Sequence, residues 1–185
     1  MDFSSTKFLG LTEFTRNDFC DDRGYFGRIY CRKIFKDLGF SSICQMNLSI
    51  TNRIGCIRGL HFQYPPNGEG KIITCLKGKV FDVVVDIRKG SKTFLEYHSV
   101  MLSSKNKKGI VVPPGFAHGF QVLEEDSLLL YTHSEFYQPQ NEGGINCLDK
   151  KLDIKWPKPI SQISEKDSKI EKINCNFEGF YFNEM

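Results

Sequence analysis

Short runs rich in apolar and β-branched residues recur through the middle of the chain, from about residue 43 to 137, and the run at 97–102 alternates between apolar and polar residues. Alternation with a period of two, rich in β-branched residues, predicts half-buried β-strands rather than helices. The runs are bounded by glycine and proline, which interrupt a strand ladder. The predicted strands occupy 72–87 around a Lys-Gly turn at 77–78, 97–102, 109–112 and 127–133.

The spacing of turn residues points to the overall architecture. Turn residues recur every 8–12 residues between Gly55 and Asp126, which is typical of a compact sandwich or barrel. Helical signals are confined to 32–38, ahead of Gly39, and to the tail 160–175, where isoleucines fall roughly on one helical face. We therefore expect one all-β domain over residues 1–185, with short helices near the N- and C-termini.

Composition narrows the class of protein. The 185 residues are 40% hydrophobic and 25% charged, and 16 Phe and 7 Tyr supply a large core, so the chain is predicted to be globular. A net charge of +3 is too small to indicate a nucleic-acid partner. No apolar run reaches a membrane-spanning length, and the start lacks a secretion signal. With seven singly spaced cysteines expected as reduced thiols, we predict a cytoplasmic location and no membrane partner.

Four histidines are candidates for chemistry. His61 lies in the segment 56–63, where strict alternation would place it on the opposite strand face from Arg58 unless a bulge intervenes. His118 follows a strand and is next to a glycine, which suits close approach of a ligand. His98 and His133 lie within ordinary strands, so we expect structural or surface roles for them.

Histidines on a β-barrel raise the question of a metal. A cupin metal site needs closely spaced histidines and a carboxylate, but His61 has no second histidine nearby and Glu69 lacks partners in the sequence. We therefore predict no metal and favour acid–base chemistry by side chains. The cationic residues Arg23, Arg58 and Lys71 suit phosphate or oxyanion recognition, although solvated charges at strand ends are the alternative.

Several segments together resemble a known family. They are the sequences Arg-Gly-Leu-His-Phe-Gln at 58–63, Asp-Val-Val-Val-Asp-Ile-Arg at 82–88, Pro-Gly-Phe-Ala-His-Gly-Phe at 114–120 and Ser-Glu-Lys-Asp at 164–167. In this order they resemble the dTDP-4-dehydrorhamnose 3,5-epimerases and related nucleotide-sugar epimerases, over residues 8 to 167. The resemblance implies a cupin-like jelly-roll β-barrel, and chemistry that needs no cofactor.

The family's residue roles carry over to matching positions of this chain. The resemblance implies that His61 is the general base, that Asp167 orients it, that Lys71 stabilises an enolate oxygen and that Tyr131 delivers a proton from the opposite face. A phenol remains protonated at neutral pH and can donate. The substrate-binding positions implied in the same way are Phe19, Arg23, Arg28, Gln45, Asn47, Arg58, His118 and Tyr137.

The implied substrate is a nucleoside-diphosphate 4-keto-6-deoxy sugar used in building cell-surface polysaccharides. The protons on C3 and C5 are α to the ketone, so removing one gives an enolate and returning it from the other face inverts the centre. The resemblance also implies a homodimer with exchanged N-terminal strands, in which residues around Arg23 reach the neighbouring subunit's site.

Departures from the family pattern leave the substrate and reaction open. Arg28 stands where the family has a base-contacting Glu, and an arginine can only donate hydrogen bonds, which would suit guanine. The usual Tyr-Lys-x-Thr is Tyr-Thr-His-Ser at 131–134, and the usual Trp-Asp-Asp-Pro is Cys-Leu-Asp-Lys at 147–150. These changes place the chain off the main rhamnose branch and leave two reactions open. One is that of a dTDP-4-dehydrorhamnose 3,5-epimerase, and the other is epimerisation of a GDP-linked 4-keto-6-deoxy-heptose at C3 or at C3 and C5. Alternatives are a 3,4-ketoisomerase, a non-catalytic sugar-nucleotide binding module and a metal-dependent cupin oxygenase.

Overall fold

The computed structural model describes residues 1–182 as short strands with few helical turns. The strands are β1 (Asp2–Ser5), β2 (Thr12–Thr15), β3 (Phe19–Asp21), β4 (Gly24–Phe26), β5 (Gln45–Thr51), β6 (Cys56–Gln63), β7 (Lys71–Lys77), β8 (Lys79–Asp86), β9 (Tyr97–Ser103), β10 (Lys108–Val112), β11 (Phe116–Val122), β12 (Ser127–His133), β13 (Glu142–Gly144) and β14 (Gln162–Ile163). The α-helices are α1 (Arg32–Phe35) and α2 (Glu165–Ser168), and 3₁₀ turns cover Lys36–Leu38 and Pro139–Asn141.

Two antiparallel sheets form the body of the fold. The first has the strand order β1-β2-β10-β7-β12-β5, and the second has the order β13-β6-β11-β8-β9 with β14 added in parallel to β6. Strands distant in sequence are neighbours in both sheets, as in the cupin-like jelly roll that the sequence predicts. The predicted strands between 72 and 133 are confirmed, including the turn at Gly78 that joins β7 to β8.

Alternation along the strands builds the core between the sheets. On β7, Ile73 and Cys75 join the central cluster, whereas Ile72 packs in a separate cluster with Phe35 of α1. Because successive side chains point to opposite faces, Lys71 lies in the same inward-facing row as Ile73 and Cys75. The inner face is therefore apolar in the middle and polar at one end, where the candidate site lies.

The terminal segments depart from the prediction. The helix predicted over 32–38 is confirmed as α1 and the following 3₁₀ turn, and it ends at Gly39 in the left-handed region. The helix predicted over 160–175 is wrong, because only α2 is helical and 162–163 instead extend the second sheet. Backbone groups beyond α2 bond to side chains: Asn146 donates to the Ile170 carbonyl, and the Ile173 amide donates to Asp149.

An extra residue in β6 sets the direction of two candidate site residues. On β11, His118 pairs with His61 and Phe120 pairs with Arg58, so two residue steps on β11 match three on β6. Cross-strand partners share a face, and so do residues two apart on a regular strand. Arg58 and His61 therefore lie on the same inner face, and the bulge that the sequence left open is present in this strand.

Gly59 makes this bulge possible. Its φ is +102°, and a Cβ at this position would lie 2.5 Å from the His118 carbonyl oxygen and 2.7 Å from Gly119 Cα. Side chains are disfavoured in this conformation, and a backbone atom cannot easily move aside.

No helix within residues 1–182 is both long and apolar enough to cross a membrane.

Replacing Gly59 is expected to be more damaging than replacing a glycine that is only conformationally special. Gly59→Ala should lower the free energy of unfolding by about 3 kcal/mol or more, since it adds a steric clash to a strained φ. Gly90→Ala is the matched control, because Gly90 has φ +78° but no atom within 4 Å of the added Cβ, and should cost about 1 kcal/mol. Urea unfolding measures both, and equal losses would contradict the close approach at Gly59.

Candidate active site

His61 and Asp167 form a hydrogen-bonded pair at the polar end of the barrel. His61 Nε2 lies 2.7 Å from Asp167 Oδ1, and the second carboxylate oxygen accepts from the Gly59 amide at 3.3 Å. The Asp167 side chain is 4% exposed, whereas the imidazole is 33% exposed. A buried carboxylate thus anchors a histidine whose ring is open to solvent on one side.

Helix α2 places the Asp167 carboxylate beneath β6. Ser164 caps the helix by accepting from the Asp167 amide at 3.0 Å, and β14 immediately before it is bonded in parallel to β6. Burial raises the pKa of Asp167, but the hydrogen bonds from His61, Gly59 and Ser164 outweigh burial and lower the pKa below its usual value. Asp167 is therefore an anion over the physiological pH range.

The pairing determines which imidazole nitrogen is available. An ionised carboxylate can only accept, so the neutral His61 ring carries its proton on Nε2 and has its lone pair on Nδ1. Nδ1 makes no hydrogen bond to any side chain or backbone group within residues 1–182. The arrangement leaves a base nitrogen free for a ligand.

Lys71 lies in a buried cluster beside this pair. Its Nζ contacts Glu69 Oε1 at 2.9 Å and donates to the His61 carbonyl oxygen at 3.2 Å. The other Glu69 oxygen lies 2.7 Å from His133 Nδ1. Burial raises the pKa of Glu69, but the Lys71 charge and the His133 hydrogen bond lower it to about 2. Glu69 thus has a cationic partner and a histidine partner that the sequence did not reveal.

Tyr131 lies on the facing sheet, next to His118. Their ring centroids are 5.9 Å apart in an edge-to-face arrangement, and His118 Nε2 lies 2.8 Å from Asp82 Oδ2. Burial and the nearby Asp82 charge raise the pKa of Tyr131 well above its usual value. The phenol is therefore protonated at neutral pH, as expected from the sequence.

The remaining nearby candidates line the edge strand β5 and the loop after β12. Arg58 Nε donates to Thr51 Oγ1 at 2.8 Å, so its guanidinium is held at the end of β5. Gln45 accepts from the Tyr137 amide at 2.7 Å. The Asn47 side-chain nitrogen lies 3.3 Å from His133 Nε2.

Three predicted residues are not brought to this site. Phe19 and Arg23 belong to the β3–β4 hairpin, where Arg23 bonds to Asp21 and its side chain is 90% exposed. Arg28 is also exposed and follows that hairpin. Within residues 1–182, the hairpin strands pair only with each other and add no strand to the two sheets. In one copy of the chain these residues do not reach His61.

Other residues of the site were missed. Glu69, Asp82 and Glu142 each bond to a predicted residue, and Tyr137 donates from its hydroxyl to Glu142 at 2.6 Å. Asp82 was visible in the motif at 82–88, but the contact of Glu69 with His133 depends on the register of β7 and β12. Across residues 1–182, no three His, Cys, Asp or Glu side chains converge in a metal-binding arrangement.

The low pKa of Asp167 predicts a pH-dependent contribution to stability. This contribution should be full above the pKa of an unfolded aspartate, near 4, and be lost as pH falls through the lower folded-state value. The difference in unfolding free energy between wild type and Asp167→Asn should therefore shrink from about pH 6 to about pH 3. Chemical denaturation at several pH values measures it, with the exposed Asp153→Asn variant as control. A difference that stays constant would contradict the assignment.

Comparisons with known proteins place this geometry in a family. Residues 5–174 match the family model described as dTDP-4-dehydrorhamnose 3,5-epimerase. A dTDP-4-dehydrorhamnose 3,5-epimerase from Shigella flexneri is 37% identical over 175 residues, which cover 94% of this chain and 96% of that protein.

Solved structures agree with the sequence matches. A dTDP-6-deoxy-D-glucose-3,5-epimerase from Legionella pneumophila Philadelphia 1, in complex with dTDP-4-keto-L-rhamnose, is 35% identical with a TM-score of 0.89, covering 97% of this chain and 98% of that one. A 3′-monoepimerase from Streptomyces bikiniensis, in complex with dTDP-quinovose, is 29% identical with a TM-score of 0.84, covering 90% and 85%. This chain therefore belongs to the dTDP-4-dehydrorhamnose 3,5-epimerase family, whose members are carbohydrate epimerases of the isomerase class.

Proposed function

We propose that this protein epimerises a nucleoside-diphosphate 4-keto-6-deoxy sugar through an enolate. The observation that carries the proposal is the pair of groups on facing sheets: a histidine with a free basic nitrogen, held by Asp167, and the protonated phenol of Tyr131. A base and an acid on different walls of one site can act on opposite faces of a sugar ring, which is what inversion requires.

The first step is removal of a proton next to the ketone. His61 Nδ1 takes the proton from C3 or C5, the electron pair of the broken C–H bond forms the C=C bond of the enolate, and negative charge develops on the C4 oxygen. Asp167 stabilises the imidazolium that results, through the hydrogen bond to Nε2. The Lys71 ammonium supplies a positive charge and a donor for the enolate oxygen.

The second step returns a proton from the other side. Tyr131 donates its phenolic proton to the carbanion centre, the ketone re-forms, and the configuration at that carbon is inverted. Its raised pKa keeps the phenol protonated until the enolate is present. Solvent then reprotonates the tyrosinate and takes the proton from His61, so each turnover exchanges the substrate proton with water.

The nucleotide contacts suit a diphosphate. Arg58, fixed at the end of β5 by Thr51, offers a guanidinium whose remaining donors match phosphate oxygens, and His118, Gln45, Asn47 and Tyr137 complete the sugar and nucleotide contacts. The dTDP ligands of the solved relatives favour a dTDP-linked hexose. Arg28 is the feature that favours a GDP-linked heptose.

We infer a role in the synthesis of a cell-surface polysaccharide. We place this role in the cytoplasm, because the seven cysteines are free thiols and thiols stay reduced there.

We also infer a homodimer that exchanges N-terminal strands. The edge strand β5 exposes an apolar row, with Met46 55%, Leu48 64% and Ile50 59% exposed. The β3–β4 hairpin exposes Phe19 at 78%, and the Arg23 side chain in its turn is 90% exposed. Exposed apolar rows on an edge strand are typical of an interface. A second copy would cover both features and bring Phe19, Arg23 and Arg28 to the partner's nucleotide.

The proposed reaction predicts solvent deuterium uptake. Incubated in D₂O with dTDP-4-keto-6-deoxyglucose, the wild type should incorporate deuterium at C3, C5 or both, as followed by ¹H NMR. His61→Asn should abolish exchange, because it removes the base. Tyr131→Phe should retain proton removal but slow inversion by about 10²- to 10⁴-fold, because the acid is missing.

The same experiment separates the alternatives. Repeating the incubation with a GDP-4-keto-6-deoxy-heptose tests whether Arg28 selects a GDP-linked substrate. The carbons that carry deuterium distinguish one inverted centre from two. A ketone moved to C3 would indicate a ketoisomerase. Binding of both nucleotides without exchange at any carbon would overturn the epimerase and favour a binding module.

The exchanged dimer predicts recovery of activity in mixed dimers. Arg23→Ala and His61→Asn should each be inactive or severely impaired, but co-expression should restore about one quarter of the wild-type sites, because each heterodimer has one intact site. The control pair is Lys71→Ala with His61→Asn, whose defects lie in one protomer's site and cannot complement. No recovery in the first pair would contradict strand exchange.

A further inference from the structure

Glu69 connects two residues that the sequence assigned to different roles. Its carboxylate oxygens contact Lys71 Nζ at 2.9 Å and His133 Nδ1 at 2.7 Å. All three side chains are 8% exposed, so the contacts form away from bulk solvent. Lys71 and His133 lie directly opposite each other on β7 and β12. The register of two central strands therefore holds the three groups together.

His133 also contacts strand β5. Its Nε2 faces the Asn47 side-chain nitrogen at 3.3 Å, and an amide nitrogen can only donate. His133 therefore accepts on Nε2 and carries its proton on Nδ1, from which it donates to Glu69. The His133 ring also stacks on Tyr131, with centroids 6.2 Å apart. Of the structural or surface role expected for His133, its burial excludes the surface role.

We propose that Glu69 and His133 are positioning residues for the reaction, with Glu69 holding the Lys71 ammonium in place and His133 fixing the Glu69 carboxylate. This inference rests on the proposed function of the site. Neither residue touches the substrate: Glu69 acts through Lys71, and His133 acts through Glu69. A lysine has a long, flexible side chain, so an ammonium aimed at an enolate oxygen needs a fixed counter-ion.

Glu69 and Lys71 could form a buried ion pair without His133. Charge neutrality is already achieved by Glu69 and Lys71, and desolvating a further polar group costs free energy unless it is hydrogen-bonded. His133 uses both ring nitrogens, one on each side, and so restricts the Glu69 carboxylate to the orientation that reaches Lys71. The Lys71 ammonium also donates to the His61 carbonyl, which ties it to the strand of the base.

A double-mutant cycle on the deuterium-exchange rate tests the proposal. His133→Ala and Glu69→Ala should each lower kcat about 10- to 100-fold, with KM within about twofold, because a displaced ammonium weakens stabilisation of the transition state. Glu69→Gln should recover part of the loss, since its amide oxygen can still accept from Lys71. In the Glu69→Ala background, His133→Ala should cause no further loss, because the group through which it acts is gone.

The barrel contains a matched control. Glu13 contacts His98 Nε2 and Lys108 Nζ, both at 2.9 Å, which repeats the same chemistry on β2, β9 and β10. Glu13→Ala and His98→Ala should leave kcat within about twofold of wild type. Thermal unfolding of every variant identifies any that fail to fold, and Glu69→Gln, which preserves size and shape, keeps the test decisive if Glu69→Ala unfolds.

The outcomes separate this inference from the proposed function. Wild-type exchange with unchanged kcat in the Glu69 and His133 variants would overturn the positioning role alone. Additive losses in the double variant would also overturn it, because His133 would then act through its stacking on Tyr131. No exchange by wild type with any substrate offered would overturn both the proposed function and this inference.

Discussion

The extra residue in β6 is the constraint on which the candidate site depends. It turns Arg58 and His61 to the same inner face, opposite Phe120 and His118 of β11. The same backbone step presents the Gly59 amide to Asp167, so one irregularity both aims the imidazole and helps to hold its partner. Only glycine fits there, because the chain passes so close to the His118 carbonyl. A regular strand would separate the proposed base from the arginine proposed to hold the diphosphate.

Carboxylates are the hydrogen-bond partners that orient the histidines of this chain. Every histidine of the chain pairs with an acid: His61 with Asp167, His98 with Glu13, His118 with Asp82 and His133 with Glu69. Three of these pairs converge where the two sheets meet at the polar end of the barrel. Each carboxylate fixes a tautomer and leaves the ring's other nitrogen to act elsewhere. We propose that His61 uses its other nitrogen, Nδ1, for the substrate. His133 uses its other nitrogen, Nε2, to contact Asn47.

Much of the fold and part of the site could be predicted from the sequence. β-Branched runs bounded by turn residues located the strands β7 to β10 and β12, but β11 (Phe116–Val122) was missed, and His118 lies within it rather than after a strand. The tail at 160–175 was misassigned as a helix, because its isoleucine spacing is helical but Asn146 and Asp149 bond to its backbone. Local patterns carry no information about such partners, which are distant in the chain.

The site, like the fold, could be predicted only in part. His61, Lys71, Tyr131 and Asp167 follow from a resemblance of motifs, and the structure brings them to one end of the barrel. The partnership of Glu69 with His133 could not be predicted, because it depends on which strands are neighbours and in what register. Phe19, Arg23 and Arg28 lie apart from the site in a single copy, so their roles depend on an assembly that the sequence implies only by resemblance.

The tautomer of His61 is the most direct test of the account. Nitrogen-15 NMR of the ring, measured near neutral pH on protein labelled at histidine, distinguishes a protonated from an unprotonated nitrogen. The account predicts that Nε2, which faces Asp167, carries the proton and that Nδ1 is unprotonated and free to act as the base. A neutral ring with its proton on Nδ1 would contradict the account, because the nitrogen proposed to remove the substrate proton would then lack a lone pair.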